Sequence, residues 1–152
     1  MLRKPLFLLA VLGFTGLLSG PVRAQEFSKY GNPLATVTVK KVPVVAEVVN
    51  TPKKLYQGLS HRKELPEGRG MLFLMEAARR HAFCMRDMHF PIDIIWIADG
   101  KVAGLHQKLS PGDKGSFRAP VPVPVVLEVP GGFVGRYGIK IGDPVVLPMS
   151  DF

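Results

Sequence analysis

The sequence has little cysteine, few charged residues and no apolar run long enough to cross a bilayer. One of its 152 residues is cysteine, which excludes an intrachain disulfide framework and a structural zinc site built on cysteines. Charged residues make up 21% and hydrophobic residues 47%, a balance that argues against a disordered chain and for one packed domain. The longest apolar run, residues 6–18, is shorter than the ~20 residues that a spanning helix needs.

The common sequence signatures of enzymes are also absent. There is no G-x-S-x-G elbow, no P-loop, no G-x-G-x-x-G after a predicted strand and no H-E-x-x-H pair. These absences leave catalysis undecided, because acids that are distant in sequence can still converge in space.

Glycine and proline are abundant, with 16 and 14 residues respectively. Such a content is typical of many short elements joined by turns, and it argues against a helical bundle. Strands are predicted at 34–40, 42–49, 71–75, 81–90, 92–98, 101–109, 125–129 and 145–147, and short helices at 52–58 and within 131–137. The predicted fold class is therefore mainly β, a small β-sandwich or partly closed barrel with one or two short helices.

Two local patterns are especially informative. Residues 92–98 are apolar on both faces, which predicts a fully buried strand, and Asp99-Gly100 predicts a tight hairpin after it. Thr51-Pro52 is typical of a helix start and Gly58 of a helix end. The prolines at 120, 122 and 124 cannot donate to a ladder and predict an extended, edge-like segment.

The first 24 residues have the pattern of a secretory signal peptide. Arg3 and Lys4 precede the apolar run, and Val22 and Ala24 occupy the −3 and −1 positions before Gln25. We expect cleavage there, although a retained N-terminal anchor is the alternative. Residues 25–33 are then a linker and residues 34–152 a single domain. The expected location is periplasmic or secreted, with no integral membrane segment after cleavage.

The net charge of +8 overstates the charge of the mature chain. The predicted signal peptide holds three of the 20 basic residues and no acid, so 17 bases and 12 acids remain, a net charge of +5. The remaining bases are mostly scattered pairs, without the aromatic interleaving of a nucleic-acid groove. We expect a solvated basic surface on a monomer, with a small molecule or an envelope component as partner and no nucleic acid.

A series of short motifs resembles the bacterial and archaeal family called domain of unknown function 192. The matching pieces lie between about residues 35 and 147, and they carry the resemblance by their order: Thr51-Pro52, Gln57-Gly58-Leu59, Leu65-Pro66, Gly70-Met71-Leu72-Phe73, Phe83, Met85, Pro91-Ile92-Asp93-Ile94, Leu127-Glu128-Val129-Pro130 and Gly138-Ile139-Lys140-Ile141-Gly142-Asp143. The resemblance implies a compact β-sandwich or barrel, often behind an export signal. It implies no established reaction, cofactor or catalytic residue. Cys84 stands where the family usually has Trp, and Asp87 where it commonly has Asn.

Soft metal ligands are concentrated between Met71 and His89. Methionine, cysteine and histidine favour Cu(I), so a copper-handling protein that uses His81, Met85 and His89 is one hypothesis. On a strand over 81–90 these three would share one face, and Cys84 and Met88 would lie on the other. This division favours core packing over copper, and no other cofactor is expected.

Asp93 is unusual because it lies inside an apolar strand and shares a face with two isoleucines. A buried carboxylate must be hydrogen-bonded or paired, or its pKa rises. It is either an acid, base or ligand-orienting group in a cleft, or a carboxylate that accepts backbone N–H bonds near Pro91. Arg86 and Asp87 could form the polar part of a shallow ligand site with Asp93, or an exposed strand end.

Two further positions have simpler interpretations. Glu128 alternates with apolar neighbours and is predicted to face solvent. Gly70 is predicted to adopt a backbone conformation that a side chain would block.

The sequence is compatible with three functions. The first is a non-catalytic, exported binding module with its site near Arg86, Asp87 and Asp93. The second is an enzyme that acts on an envelope polymer or small metabolite with Asp93 as acid or base. The third is the copper-handling protein.

Overall fold

The computed structural model describes residues 24–148, which form nine strands and two short helices. The strands are β1 (Leu34–Val39), β2 (Val42–Val49), β3 (Arg69–Arg79), β4 (Ala82–Phe83), β5 (Ile92–Ala98), β6 (Lys101–Leu109), β7 (Phe117–Arg118), β8 (Val123–Pro130) and β9 (Val145–Val146). The helices are α1 (Pro52–Gln57) and α2 (Phe133–Tyr137). Except for Ala24, the predicted signal peptide lies outside the described residues.

Seven strands form one curled sheet in the order β6-β5-β8-β3-β2-β1-β9, and β4 and β7 form a small second sheet. This architecture confirms the predicted mainly β fold with one or two short helices, of which there are two. No helix among residues 24–148 combines the length and apolarity needed to span a membrane.

A β2–α1–β3 crossover makes β2 and β3 parallel neighbours, in register from Val45↔Arg69 to Val49↔Phe73. As predicted, α1 begins at Pro52 and ends before Gly58, whose φ of 50° is easily adopted by glycine. Thr51 precedes the helix in an extended conformation without a capping bond from its side chain. The crossover places α1 over one face of the sheet.

The sheet separates two apolar clusters, which we name after the helices that cover them. The α2 face includes Phe133 and Val134 from α2 together with Ile95, Ile97 and Leu127. The α1 face includes Phe73, Met85, Met88, Ile94 and Trp96, with Leu55 of α1 packed against them. Because strand side chains alternate, β2, β3, β5 and β8 each contribute to both clusters.

The buried strand and hairpin predicted after Pro91 are confirmed. β5 covers Ile92–Ala98, and its first six residues are buried. Asp99 and Gly100 have φ values of 50° and 66°, so both central residues of the two-residue turn are left-handed, as a type I′ hairpin requires.

Other predicted elements were wrong in extent. The strand predicted over 81–90 is a strand only at Ala82–Phe83, and the chain then turns through Asp87, whose φ is 54°. Pro124 lies in the interior strand β8 rather than at an edge. Its missing N–H is tolerated because the pairing of β8 with β3 is interrupted between Leu74 and Arg79.

The segment predicted as a linker is packed onto the sheet. The N–H of Leu34 donates to the Glu26 carbonyl at 2.8 Å, and Phe27 and Pro33 form a β-bridge. Asn32 is buried, and its side-chain amide donates to Glu47 Oε2 at 2.7 Å. The packed chain therefore begins well before β1.

Candidate functional site

A cavity of about 260 Å³ lies against the α1 face. Residues of α1 and the turn after it form one side, β3 and the segment 82–88 form the other walls, and β8 contributes Glu128. The lining residues are Leu55, Tyr56, Gln57, Gly58, Leu59, Ser60, Phe73, Met75, Ala82, Phe83, Cys84, Arg86, Met88 and Glu128. Most of this wall is apolar, with a few polar groups, as is typical of small-molecule sites.

Glu128 is the buried acid of this cavity. It is opposite Met71 of β3 and Ile94 of β5 in the sheet register, and it is 5% exposed. Its carboxyl makes no hydrogen bond or ion pair with any described residue. The prediction that Glu128 faces solvent was therefore wrong.

Burial changes the charge state of Glu128. Loss of hydration disfavours the carboxylate and raises the pKa of Glu128 to about 8. At neutral pH the group is therefore mostly the uncharged acid, which offers one O–H donor and a carbonyl acceptor. The cavity thus holds a polar group whose hydrogen bonds the described protein residues leave unmade.

Arg86 brings a positive charge to the same cavity. Its Nη2 donates to the Tyr56 carbonyl at 2.9 Å, and its guanidinium lies 4.1 Å from the centre of the Tyr56 ring. The Arg86 carbonyl accepts a bond from Ser60 Oγ at 2.8 Å, which ties the 82–88 segment to the end of α1. No other N–H group of the guanidinium is hydrogen-bonded to a described residue, so several donors are available to a ligand.

Asp87 accompanies Arg86 but does not line the cavity. Its Oδ2 is 3.8 Å from both Arg86 Nε and His61 Nε2, and its side chain is half exposed. Two of the three predicted ligand-site residues are thus neighbours, and one of them reaches the cavity.

Asp93 lies on the other face of the sheet. Its Oδ1 accepts bonds from the backbone N–H groups of Lys108 and Gly132 at 2.7 and 3.0 Å, and its Oδ2 accepts one from Val134 at 2.8 Å. Asp93 is fully buried and does not line the cavity. The geometry is that of the structural alternative, a carboxylate that satisfies backbone donors.

The predicted copper ligands do not share one strand face as predicted. His81 Nε2 is 2.9 Å from the Ala77 carbonyl, Met85 is buried in the α1-face cluster and His89 is exposed. None of the three lines the cavity, whereas Met75, Cys84 and Met88 do. Within residues 24–148 no group of three or more His, Cys, Asp and Glu side chains is arranged to hold a metal ion.

The apolar wall continues into a row of edge-to-face aromatic rings. The Phe83 ring lies 4.9 Å from Phe73 and 5.4 Å from Trp96, measured between centroids. Beyond it, Trp96 Nε1 donates to His106 Nδ1 at 2.9 Å, and burial lowers the pKa of His106, which keeps this acceptor nitrogen unprotonated. Phe83 is therefore fixed in position as the wall of the cavity.

A second cavity, of about 300 Å³, lies beside the N-terminal segment. Its charged pair is already satisfied, because Arg62 Nη1 and Nη2 donate to Glu47 Oε1 and Oε2 at 2.9 and 3.0 Å. Burial raises the pKa of Glu47, but the bonds from Arg62, Asn32 and Ser28 outweigh it and the pKa is lowered overall. The cavity beneath α1 is the better candidate because its acid has no such partners.

Sequence reasoning missed Glu128, although a signal was present. Apart from Glu128, residues 125–129 are apolar at both odd and even positions, so both faces of the strand carry apolar side chains. This is typical of a strand that is covered on both faces. An acid inside such a strand is buried whichever face it takes, as was inferred for Asp93.

Comparisons with known proteins give a family and two solved relatives. The model of the family DUF192, described as Uncharacterized ACR, COG1430, matches residues 35–147. A crystal structure of a protein of unknown function from Novosphingobium aromaticivorans DSM 12444 is 32% identical with a TM-score of 0.76, and the match covers 82% of this chain and 94% of that one. A proposed transcription regulator from Sinorhizobium meliloti 1021 is 26% identical with a TM-score of 0.72, over 76% and 95% of the two chains. No match is found among curated proteins.

Proposed function

The chain belongs to the DUF192 family, and on that premise we propose that it is a non-catalytic binding module that holds a small molecule in the cavity between α1 and the sheet. The observation that carries this proposal is Glu128, a buried acid that lines the cavity without a partner among the described residues. No buried side-chain nitrogen or oxygen among residues 24–148 lacks a hydrogen-bond partner, so the unpartnered carboxyl oxygens of Glu128 are open to the cavity, where a ligand can reach them. A ligand that supplies the missing bonds explains why the acid is there.

The position of Asp93 supports binding over the alternative of an enzyme that uses this residue. Both of its oxygens already accept backbone hydrogen bonds, and it lies across the sheet from the cavity. A general acid or base needs hydrogen-bond contact with its substrate. The polar residues that line the cavity include Glu128 and Arg86 but not Asp93.

A thermal-shift screen of small metabolites against the purified protein tests the proposal, with Cys84 as a position-specific reporter. Cys84 is the single cysteine, is exposed and lines the cavity. We expect compounds that raise Tm also to slow the reaction of Cys84 with a chromogenic disulfide.

Two variants localise the effect. Glu128→Leu removes the polar group and should abolish both responses, whereas Glu76→Ala changes an exposed acid of β3 and should leave them intact. Ligands that stabilise the protein without protecting Cys84, or that act equally on Glu128→Leu, would place binding elsewhere.

We further propose that the module works outside the cytoplasm, in a periplasm or as a secreted protein. The pattern of residues 1–24 supports this, with Val22 and Ala24 at the −3 and −1 positions before Gln25. Cell fractionation with N-terminal sequencing should find an exported chain that begins at Gln25. A cytosolic chain that keeps its first 24 residues would contradict export.

A further inference from the structure

We propose that the ligand is a small carboxylate with a short apolar tail, held with its carboxylate between Glu128 and Arg86 and its tail against the aromatic and methionine wall. This inference rests on the proposed function and adds the chemical class of the ligand.

The polar end of the ligand follows from the donors that the cavity offers. Glu128 is buried without a cationic partner, so it presents an O–H. Arg86 bonds the Tyr56 carbonyl through Nη2 and lies 3.8 Å from Asp87 through Nε, and its Nη1 is hydrogen-bonded to no described residue. Because Glu128 and Arg86 both donate, the ligand needs a group with two hydrogen-bond acceptor atoms. A carboxylate does so, and its bonds to an acid O–H and to a guanidinium are both charge-assisted.

The charges around Glu128 favour an anion. The other titratable groups that line the cavity are Tyr56 from α1 and Cys84 and Arg86 from the 82–88 segment; the negative Asp87, 3.8 Å from Arg86 Nε, lies outside the lining. The strands on either side place Met71 and Ile94 next to Glu128 and add no charge. A cationic ligand would meet the positive Arg86 and would require Glu128 to release its proton.

The apolar end and the size of the ligand follow from the wall. Leu55, Phe73, Met75, Phe83 and Met88 supply apolar surface. The volume of about 260 Å³ is below the roughly 300–1,000 Å³ of pockets for drug-sized molecules. The tail is therefore short, of the length of a six-carbon chain rather than that of a membrane lipid.

Titration calorimetry with three probes of equal length, hexanoate, hexan-1-ol and hexylamine, tests the class of ligand. We expect hexanoate to bind about tenfold or more tightly than either of the others. At pH 8, where Glu128 is about half protonated, hexanoate binding should take up as much as about half a proton, read from the heats in two buffers of different ionisation enthalpy. An amine would instead release a proton.

Three variants separate the two contacts. Arg86→Met should weaken hexanoate binding about tenfold or more and leave hexanol binding unchanged, while Arg79→Met, at an exposed arginine of β3, should change neither. Glu128→Gln keeps an N–H donor, so it should bind hexanoate within a few-fold of the wild type but without proton uptake.

The inference is overturned if hexanoate fails to bind, if hexylamine or hexanol binds equally well, or if proton uptake persists in Glu128→Gln. The proposed function would survive those results if another class of compound still protects Cys84. It would fail with the inference if no compound of any class does so.

Discussion

The Asp93 carboxylate accepts a hydrogen bond from the Val134 N–H at 2.8 Å and so joins an interior strand to the second residue of α2, 41 positions further along the chain. The same carboxylate accepts the N–H groups of Gly132 and Lys108. One buried side chain thus connects β5, the end of β6 and the start of α2. We call these three hydrogen bonds the Asp93 clasp, because they hold three elements together and do not face a cavity.

Replacement of Asp93 should destabilise the protein strongly. Asp93→Ala leaves three backbone donors without their acceptor, and a buried donor without a partner costs about 1–3 kcal/mol. We expect a loss of at least about 3 kcal/mol in the free energy of unfolding, measured with urea. Glu76→Ala removes an exposed carboxylate of β3 and is the matched control, expected within about 0.5 kcal/mol of wild type. Equal stability of the two variants would contradict the clasp.

Replacement of Glu128 should change how stability depends on pH. Its pKa is about 8 in the folded protein against 4.5 as the ordinary value, so between these pH values the folded state holds a proton that the unfolded chain has lost. The stability contributed by Glu128 is complete below pH 4.5 and is lost as the pH rises through about 8. Glu128→Gln has no titratable group at this position, so it does not lose this stability as the pH rises.

The stability difference between Glu128→Gln and wild type should therefore move in favour of the variant from pH 5 to pH 8, by up to about 1.4 kcal/mol per pH unit, and then level off. Urea unfolding at pH 5, 6.5, 8 and 9 measures it. A difference that stays constant over this range would show that Glu128 titrates normally in the folded state.

Gly70 should not tolerate even a methyl group. A Cβ at this position would lie 2.8 Å from the Glu128 carbonyl and 2.9 Å from Val44 Cγ1. We expect Gly70→Ala to cost about 1–3 kcal/mol by overpacking. Gly112→Ala is the control because a Cβ there meets nothing within 4 Å. A stable Gly70→Ala protein would mean that β2 and β8 can move apart at little cost.

The Glu47–Arg62 pair should be needed to hold the N-terminal segment in place. Arg62 is 7% exposed, bonds Glu47 through two nitrogens and stacks 3.1 Å from the centre of the Tyr30 ring. Arg62→Ala leaves a largely buried carboxylate with its hydrogen bonds from Asn32 and Ser28 but without its cation, which costs about 3 kcal/mol. Limited trypsin digestion should then cut after Lys29, in the released segment.

The double variant Glu47→Gln with Arg62→Ala removes the uncompensated charge and should recover part of the lost stability. If it is no more stable than Arg62→Ala alone, packing on Tyr30 rather than the ion pair accounts for the effect.

The sequence predicted the elements with strong local signals. Pro52 and Gly58 bounded α1, Asp99-Gly100 marked the hairpin, and the apolar run 92–98 gave β5 to the residue. Local backbone preference determines the helix ends and the hairpin, and unbroken apolar composition marks the buried strand, so no knowledge of distant partners was needed.

The predictions that were wrong concern features that depend on tertiary contacts. Residues 84–90 have strand-like composition, but β4 ends at Phe83 and the chain turns at Asp87 to lie along the end of α1. The predicted placement of Cys84 and the histidines on opposite strand faces therefore does not apply. Gly70 was assigned to backbone freedom, whereas it is needed because neighbouring strands leave no space for a side chain. Glu128 was placed in solvent because alternation cannot tell which of two faces a helix will cover.

The row of aromatic rings couples the fluorescence of Trp96 to the cavity. Trp96 is the single tryptophan, so all indole emission comes from one place, in contact with the Phe83 ring that walls the cavity. Burial lowers the pKa of the His106 ring, which accepts a hydrogen bond from Trp96 Nε1, so this ring becomes a charged quencher only in more acidic solution than an ordinary histidine would. Occupancy of the cavity and protonation of His106 should therefore both change the emission of this one indole in an unlabelled chain.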